Sequence, residues 1–195
     1  MVIGISGYTG SGKTTAARRL HEKQPSFFLI DADKVARKLM LENEDLIREV
    51  GARFGVLQNS RINFTRLGEI VFESVENLKK LNAITFPYII PAIENLLGTV
   101  PNAIIDAALL PLTPLVKKEC KLLIWIESDL EKRAKRLQER TALDEKAIQN
   151  RIKKQIDLMP RPNKTASCNS NESVWKIIEN NSSLEDLFKK VDEIL

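Results

Sequence analysis

GYTGSGKT, at residues 7–14, is the stretch of this sequence that decides its fold. It fits the pattern of a glycine, any four residues, and then Gly-Lys-Ser/Thr. The glycines let the backbone turn so tightly that successive N–H groups point into one anion-sized cavity. Lys13 supplies an ammonium group that reaches the outer phosphates of a nucleotide, and the Thr14 hydroxyl is placed to bind magnesium. The stretch therefore predicts a loop that binds a nucleoside triphosphate.

The residues on either side of the loop supply the context that this pattern requires. Residues 2–6 (VIGIS) predict a buried strand that runs into the loop, and residues 14–23 predict a helix after it. This order places bound phosphates at the positive N-terminus of a helix. A chance glycine-rich turn before a helix would explain neither the Lys-Thr pair nor the strand. The residues predicted to contact the nucleotide here are Gly10, Ser11, Gly12, Lys13, Thr14 and Thr15.

Length and composition are typical of a globular chain with one substantial core. Of its 195 residues, 43% are hydrophobic and 29% are charged. No apolar run approaches the ~20 residues that span a bilayer, and no targeting segment or disulfide framework is visible around Cys120 and Cys168. We therefore expect a cytoplasmic protein with no membrane partner, as a monomer or a weak homo-oligomer. The net charge of +4 is spread along helices with few aromatic residues, which does not predict nucleic-acid binding.

Five short apolar runs predict the strands of one sheet. They cover residues 2–6, 27–31, 103–106, 122–126 and 174–178. Near-continuous apolar strands that alternate with helical stretches are typical of a parallel sheet covered on both faces. We therefore predict an α/β fold with a five-stranded parallel sheet and helices on both of its faces. Because ligands bind at the carboxyl ends of such strands, the loop, Asp31 and Asp106 should converge.

The long stretch between the second and third strands predicts an inserted helical lobe that binds substrate. Its helices cover residues 33–41, 43–54, 64–72 and 75–97, the last broken at Phe86-Pro87, and no strand-like run lies among them. Two Lys- and Arg-rich helical segments follow the fourth strand, where small phosphotransferases carry a lid; a solvated surface is the alternative. We expect one domain over residues 1–195, with a core of 1–35 and 100–195, a lobe at 36–99 and the lid at 129–159.

The rest of the chain must indicate what is done with the nucleotide. A small GTPase requires an Asn-Lys-x-Asp motif, and the nearest stretch, NKTA at residues 163–166, lacks the aspartate and follows no apolar strand. A small-molecule kinase requires a hydroxyl acceptor, a base that orients it, and cations that bridge the transferred phosphoryl group. Residues 30–37 (IDADKVAR) offer two carboxylates directly after the second strand, facing the loop.

At residues 30–37 the sequence resembles the dephospho-CoA kinases, whose phosphate loop is followed by a strand ending in Ile-Asp-Ala-Asp and a helix containing Ala-Arg. The resemblance extends over nearly the whole chain, through ARFG (52–55), RLGEIVF (66–72), LNAITFP (81–87), IDAALL (105–110) and IIENN (177–181). The lid is similar at Arg133, Arg136, Arg140, Arg151 and Gln155. Two departures are clear. Phe86 stands where the family usually has a histidine that can bond to the CoA moiety, and the lid exit at residues 159–173 is longer than usual.

The resemblance implies that ATP and Mg²⁺ serve to phosphorylate the ribose 3′-hydroxyl of dephospho-CoA, which gives CoA and ADP. It implies that Asp33 is the base, and capping of the following helix is the alternative role. Asp31 holds either a magnesium-bound water or a structural hydrogen bond, and Asp106 suits a magnesium contact through water, together with Thr14. Arg140 is expected to stabilise phosphoryl charge in catalysis, because its planar guanidinium fits phosphate.

The remaining predicted contacts concern the two substrates. Arg136 is expected at the ATP phosphates or else on the surface, and Asn181 is expected near the adenine. The acceptor is expected to contact Asp31, Asp33, Arg37, Phe86 and Leu109. Two other functions stay open: a kinase of the same architecture that acts on a nucleoside, nucleotide or sugar, and an ATP-binding regulator without turnover. The altered position 86 keeps the first open, whereas the retained Lys13, Asp33 and Arg140 argue against the second.

Overall fold

The computed structural model of the chain describes residues 1–141, 143–162 and 175–194. Three sequence predictions lie outside the described residues. They are Val174 as the first residue of the fifth strand, the NKTA stretch at 163–166, and the part of the lid exit that contains Cys168.

The strands confirm the predicted parallel sheet. In chain order, the strands of the described residues are β1 (Val2–Ser6), β2 (Phe28–Asp31), β3 (Leu57–Gln58), β4 (Arg61–Ile62), β5 (Ala103–Asp106), β6 (Leu122–Glu127) and β7 (Trp175–Glu179). Five of them form one sheet in the order β2-β5-β1-β6-β7, and every neighbouring pair in it is parallel. The register pairs Asp31 with Asp106, so the two carboxylates end adjacent strands at the same edge of the sheet.

Helices cover both faces of this sheet, also as predicted. Their bounds are α1 (Lys13–Lys23), α2 (Ala32–Glu42), α3 (Glu44–Phe54), α4 (Phe64–Val71), α5 (Val75–Gly98), α6 (Leu115–Lys118), α7 (Leu130–Arg140), α8 (Glu145–Leu158) and α9 (Leu184–Asp192), with a 3₁₀ turn at Leu110–Leu112. One core lies between the sheet and α1 with α9, and a second lies on the other face beneath α5 and α6. Nowhere in the described part of the chain is a helix long and apolar enough to cross a membrane.

A third apolar core lies among the inserted helices. It is formed by buried side chains of α3, α4, α5 and the segments around them, and it includes Leu158 at the end of α8. Side-chain caps fix where these helices begin: Asn43, Asn63 and Ser74 accept a hydrogen bond from the backbone three residues on. This separate core supports the division into a nucleotide-binding core and a helical lobe, which we keep as a proposal.

The prediction that the lobe contains no strand was wrong. Strands β3 and β4 pair antiparallel, with Leu57 opposite Ile62 and Gln58 opposite Arg61. Asn59 and Ser60 join them with φ angles of 50° and 59°. Two consecutive left-handed residues form the kind of tight turn that connects hairpin strands. Strands of two residues leave no alternating pattern in the sequence, which is why this hairpin was not predicted.

The predicted break in α5 was also wrong, because the helix continues through Pro87 and Pro91. A proline in a helix removes one backbone hydrogen bond and crowds the preceding turn. Here the two prolines are four residues apart and both are exposed, so they share one solvent-facing side where water can bind the freed carbonyl groups. Leu78, Thr85 and Ile93 are buried on the helix and hold it in place along its length.

Candidate active site

The phosphate loop has a backbone that only glycine adopts easily. Gly10 and Gly12 have φ angles of 78° and 97°, and a side chain at either position would be strained. A Cβ atom on Gly10 would lie 2.7 Å from the carbonyl oxygen of Arg133, and one on Gly12 would collide with the amide of Asn180. Gly12 is also the N-cap of α1, so the loop leads directly into the helix N-terminus, as predicted. This arrangement is a site for phosphate.

The two helices of the predicted lid hold the loop at Thr9. Its N–H donates to Oε1 of Gln155 on α8 over 2.6 Å. Its carbonyl oxygen accepts from Nε of Arg133 on α7 over 3.0 Å, and the same guanidinium stacks on the Tyr8 ring. Arg133 and Gln155 are both buried. The backbone N–H and the backbone carbonyl oxygen of Thr9 are therefore both bound by side chains from the lid.

Asp106 lies at the carboxyl end of β5 and is only 4% exposed. Its Oδ1 has no hydrogen-bond partner among the described residues. Burial raises the pKa of this carboxyl, whereas Lys13 and Thr14 nearby lower it. A buried carboxylate oxygen without a partner, close to the Thr14 hydroxyl, fits a hydrated Mg²⁺ ion. The described residues contain no group of three or more His, Cys, Asp or Glu side chains that could hold a metal ion by themselves.

Asp31 and Asp33 have different tasks in the structure. Asp31 is the N-cap of α2, where its Oδ1 accepts from the Lys34 N–H over 3.0 Å. The alternative role foreseen for Asp33, helix capping, therefore belongs to Asp31. Asp33 lies in the first turn of α2, is exposed, and keeps its carboxylate available for a ligand.

Asp33 and Lys13 line one central cavity of about 170 Å³. Thr9, Gln155 and Arg151 complete its polar wall. Burial lowers the pKa of Arg151, and the negative charge of Asp33 opposes that shift. A phosphate-loop lysine, an exposed carboxylate and a half-buried arginine thus surround one space, which is the arrangement that a phosphoryl transfer to a hydroxyl group requires.

The model of the dephospho-CoA kinase family matches residues 1–186. The chain belongs to the dephospho-CoA kinase family. It is therefore an enzyme, an ATP-using kinase of coenzyme A biosynthesis with a phosphate-loop fold.

Individual members of the dephospho-CoA kinase family match over almost the entire chain. A protein of Fusobacterium nucleatum named Dephospho-CoA kinase is 34% identical, over 98% of this chain and 95% of its own length. One of Arabidopsis thaliana with the same name is 30% identical, over 100% of this chain and 82% of its own length.

Solved structures show the same fold at lower identity. A Thermus thermophilus protein has a TM-score of 0.72 at 23% identity, over 100% of this chain and 95% of its own. The dephospho-CoA kinase of Campylobacter jejuni has a TM-score of 0.57 at 22% identity, over 99% and 94%. A deoxyadenosine kinase of M. mycoides, solved with bound dATP, has a TM-score of 0.58 at 12% identity, over 99% and 97%. The fold therefore does not by itself select the acceptor.

Two residues predicted to touch ATP in this member of the dephospho-CoA kinase family make hydrogen bonds within the protein. Arg136 donates to the carbonyl oxygens of Gly10 and Ser11 and to that of Asn180. The Asn181 side chain bonds to Ser128 and Asp129. Their hydrogen bonds support the loop and the strand end behind it, and direct contact with ATP stays a prediction for both. Thr15, the third residue of α1, is exposed.

The predicted acceptor contacts are partly brought together. Phe86 and Leu109 line an apolar cavity of about 180 Å³ on the other side of Asp33, and Leu109 also lines the central cavity. Arg37 lies apart from both, with its guanidinium stacked 3.6 Å from the centre of the Phe64 ring. Arg140 is exposed at the end of α7 and lines neither cavity, so its catalytic role stays a prediction.

Three side chains that lie at the site in the structure were not among the predicted site residues. Arg151 and Gln155 line the central cavity, and Asn180 donates to the Ser11 carbonyl oxygen over 2.7 Å. Arg151 and Gln155 are four residues apart and thus on one face of α8, a spacing that could have singled them out. Asn180 directly follows β7, where site residues of such sheets lie.

Replacing Gln155 with methionine tests the contact between the lid and the loop. The change keeps the length of the side chain but leaves the Thr9 N–H without its acceptor. We expect the free energy of unfolding to fall by about 1–3 kcal/mol, the cost of an unsatisfied buried donor, and the affinity for ATP to fall as well. Urea unfolding and calorimetric titration with ATP measure the two effects. The matched control is Gln138→Met at an exposed position of α7; equal losses in both variants would contradict the contact.

Proposed function

We propose that the protein transfers the γ-phosphoryl group of ATP to the ribose 3′-hydroxyl of dephospho-CoA and releases CoA and ADP. The observation that carries this proposal is that Asp33 faces the same cavity as the phosphate-loop Lys13, with Arg151 beside them. The family match supports the choice of substrates.

The donor site is built from the loop and the start of α1. The backbone N–H groups of residues 10–15 and the helix N-terminus bind the phosphates of ATP. Lys13 neutralises charge on the outer phosphates, which increases as the bond to the leaving ADP breaks. Thr14 and Asp106 would hold Mg²⁺, Thr14 directly and Asp106 through water. The bound ion would supply positive charge that offsets the mutual repulsion of the phosphates.

The acceptor site depends on Asp33. Its carboxylate accepts a hydrogen bond from the 3′-hydroxyl and takes the proton as the oxygen attacks the γ-phosphorus. The new O–P bond forms while the bond between that phosphorus and the β–γ bridging oxygen breaks, and ADP leaves. Asp31 fixes the first turn of α2 and thereby the position of Asp33. Arg140 is proposed to reach the transferred group from the lid, and Phe86 and Leu109 to contact the acceptor.

The proposed setting of the reaction follows from the sequence. Cytoplasmic ATP and dephospho-CoA are the proposed partners, without a nucleic acid or a membrane, and the working form is a monomer or a weak homo-oligomer. A moderate positive charge of +4 suits a protein whose two ligands are both polyphosphates.

A coupled assay of ADP release tests the proposed reaction. The protein is supplied with ATP, Mg²⁺ and one acceptor at a time: dephospho-CoA, adenosine, AMP or shikimate. We expect turnover with dephospho-CoA alone, which would also show that Phe86 is compatible with this acceptor. Turnover with another acceptor instead would overturn the choice of substrate but not the role of the loop. Tight ATP binding without turnover for any acceptor would favour a regulator.

A further inference from the structure

Arg133 on α7 is a cation buried beside the phosphate loop. The residue is only 3% exposed. Burial lowers the pKa of its guanidinium, whereas Tyr8 and Glu127 oppose that shift. Its Nη2 makes no hydrogen bond with the described part of the chain. A buried charge is costly unless its surroundings replace the lost hydration, so the groups that hold Arg133 in place must offset that cost.

The Tyr8 ring provides a fixed face for this cation. The guanidinium lies 4.7 Å from the ring centre, and a contact of this kind is strongest where water is excluded. The ring itself is held from two sides. Its hydroxyl donates to the Met159 carbonyl oxygen over 3.0 Å, and Trp125 packs edge-on against it with the ring centres 4.9 Å apart. Tyr8 is thus a rigid support for Arg133.

Arg133 in turn holds one carbonyl group of the loop. Its Nε donates to the Thr9 carbonyl oxygen over 3.0 Å. The peptide bond between Thr9 and Gly10 is trans, so its carbonyl oxygen and its N–H point in opposite directions. Because the oxygen is bound to α7, the Gly10 N–H is directed away from α7. The orientation of this one peptide decides whether its N–H can reach a phosphate.

We propose that the Tyr8 ring, by holding Arg133, keeps the Gly10 N–H turned toward the ATP phosphates. Tyr8 is thus a positioning residue, and its two parts have different tasks: the ring supports the guanidinium, whereas the hydroxyl ties the loop to the lid exit at Met159. Without the ring, the buried guanidinium moves toward water and releases the Thr9 carbonyl group. This inference rests on the proposed function, because it takes the loop as the site of the ATP phosphates.

Two replacements of Tyr8 separate the ring from the hydroxyl. Tyr8→Phe keeps the ring and loses only the bond to Met159, whereas Tyr8→Leu loses the ring. Arg133→Met removes the guanidinium and leaves the ring in place. The matched control is Tyr88→Leu, because this second tyrosine packs on the core of the helical lobe, where its hydroxyl donates to Glu49 over 2.6 Å.

Calorimetric titration with ATP and Mg²⁺ measures the effect. For Tyr8→Leu and for Arg133→Met we expect the dissociation constant to rise about tenfold, the effect of weakening one hydrogen bond to a charged group. Tyr8→Phe should stay within about twofold of the wild type because it keeps the contact between cation and ring, and Tyr88→Leu should match the wild type. The variant that combines Tyr8→Leu with Arg133→Met should bind ATP no more weakly than the weaker single variant, since both changes act on the same peptide.

Losses that add up in the combined variant would overturn the proposal, because they would show that Tyr8 acts independently of Arg133. A Tyr8→Phe protein that binds ATP as weakly as Tyr8→Leu would overturn it too. Urea unfolding checks that each variant folds. Should Tyr8→Leu not fold, near-normal ATP binding by Arg133→Met overturns the proposal by itself. A wild type that does not bind ATP would overturn the proposed function as well.

Discussion

Replacing Lys13 with alanine is expected to reduce kcat by about 10³-fold or more while the fold stays intact. One preorganised neutral donor at a developing charge is already worth about 10²–10³ in kcat, and Lys13 brings a full positive charge to the phosphates. The side chain lines the central cavity and acts electrostatically on Asp106, so its removal affects both the ATP and the magnesium positions. Steady-state ADP release, together with thermal unfolding, measures the two quantities.

The control for this variant is a lysine on the protein surface. Lys38 on α2 is 73% exposed and pairs with Glu42 over 3.8 Å, so Lys38→Ala should leave kcat unchanged. A Lys13→Ala protein that retained near-normal turnover would contradict the assignment of the loop as the site of the reacting phosphates.

Replacing Asp33 with alanine is expected to lower kcat by about 10²–10⁴-fold, the usual contribution of a general base, with little change in stability. Asp31→Ala provides the comparison, because Asp31 and not Asp33 caps α2. Loss of such a cap should lower the free energy of unfolding by about 0.5–2 kcal/mol. Asp33→Ala should therefore lose turnover with little loss of stability, whereas Asp31→Ala should lose stability together with a smaller part of its turnover, because Asp31 positions Asp33.

The result that would contradict the role of Asp33 is equally clear. If Asp33→Ala were destabilised as much as Asp31→Ala and still turned over at a normal rate, Asp33 would be a structural residue of the first turn of α2. Calorimetric titration should also show unchanged ATP affinity in Asp33→Ala, because the proposed role of this carboxylate concerns only the acceptor hydroxyl.

The sheet was predictable because each of its strands is a short apolar run in the sequence. Ala103–Asp106 is buried along its full length, and a strand covered on both faces must be apolar throughout. The β3–β4 hairpin was not predictable, because strands of two residues are too short to show an alternating apolar and polar pattern in the sequence. We expected α5 to break at Pro87 because a proline often ends a helix. Pro87 lies on the exposed side of α5, however, and the helix continues through it.

The site was predictable where its residues follow a strand directly and less so where distant segments meet. The phosphate loop, Asp33 and Asp106 each lie in a short stretch of sequence whose residue types indicate their chemical role. The bonds that hold Thr9 join it to Arg133 and Gln155, which are 124 and 146 positions away. Family resemblance indicated that those two positions belong to the lid, but only the folded chain shows which backbone atoms they bind.

The most direct test of the central claim is to locate the new phosphate in the product. Wild-type protein is incubated with ATP, Mg²⁺ and dephospho-CoA, and the product is examined by phosphorus NMR with coupling to the ribose protons. The account predicts one new phosphomonoester signal, coupled to the proton on the ribose 3′ carbon, in an amount equal to the ADP released. A phosphate on any other atom of the acceptor, or ADP release without a phosphorylated acceptor, would contradict it.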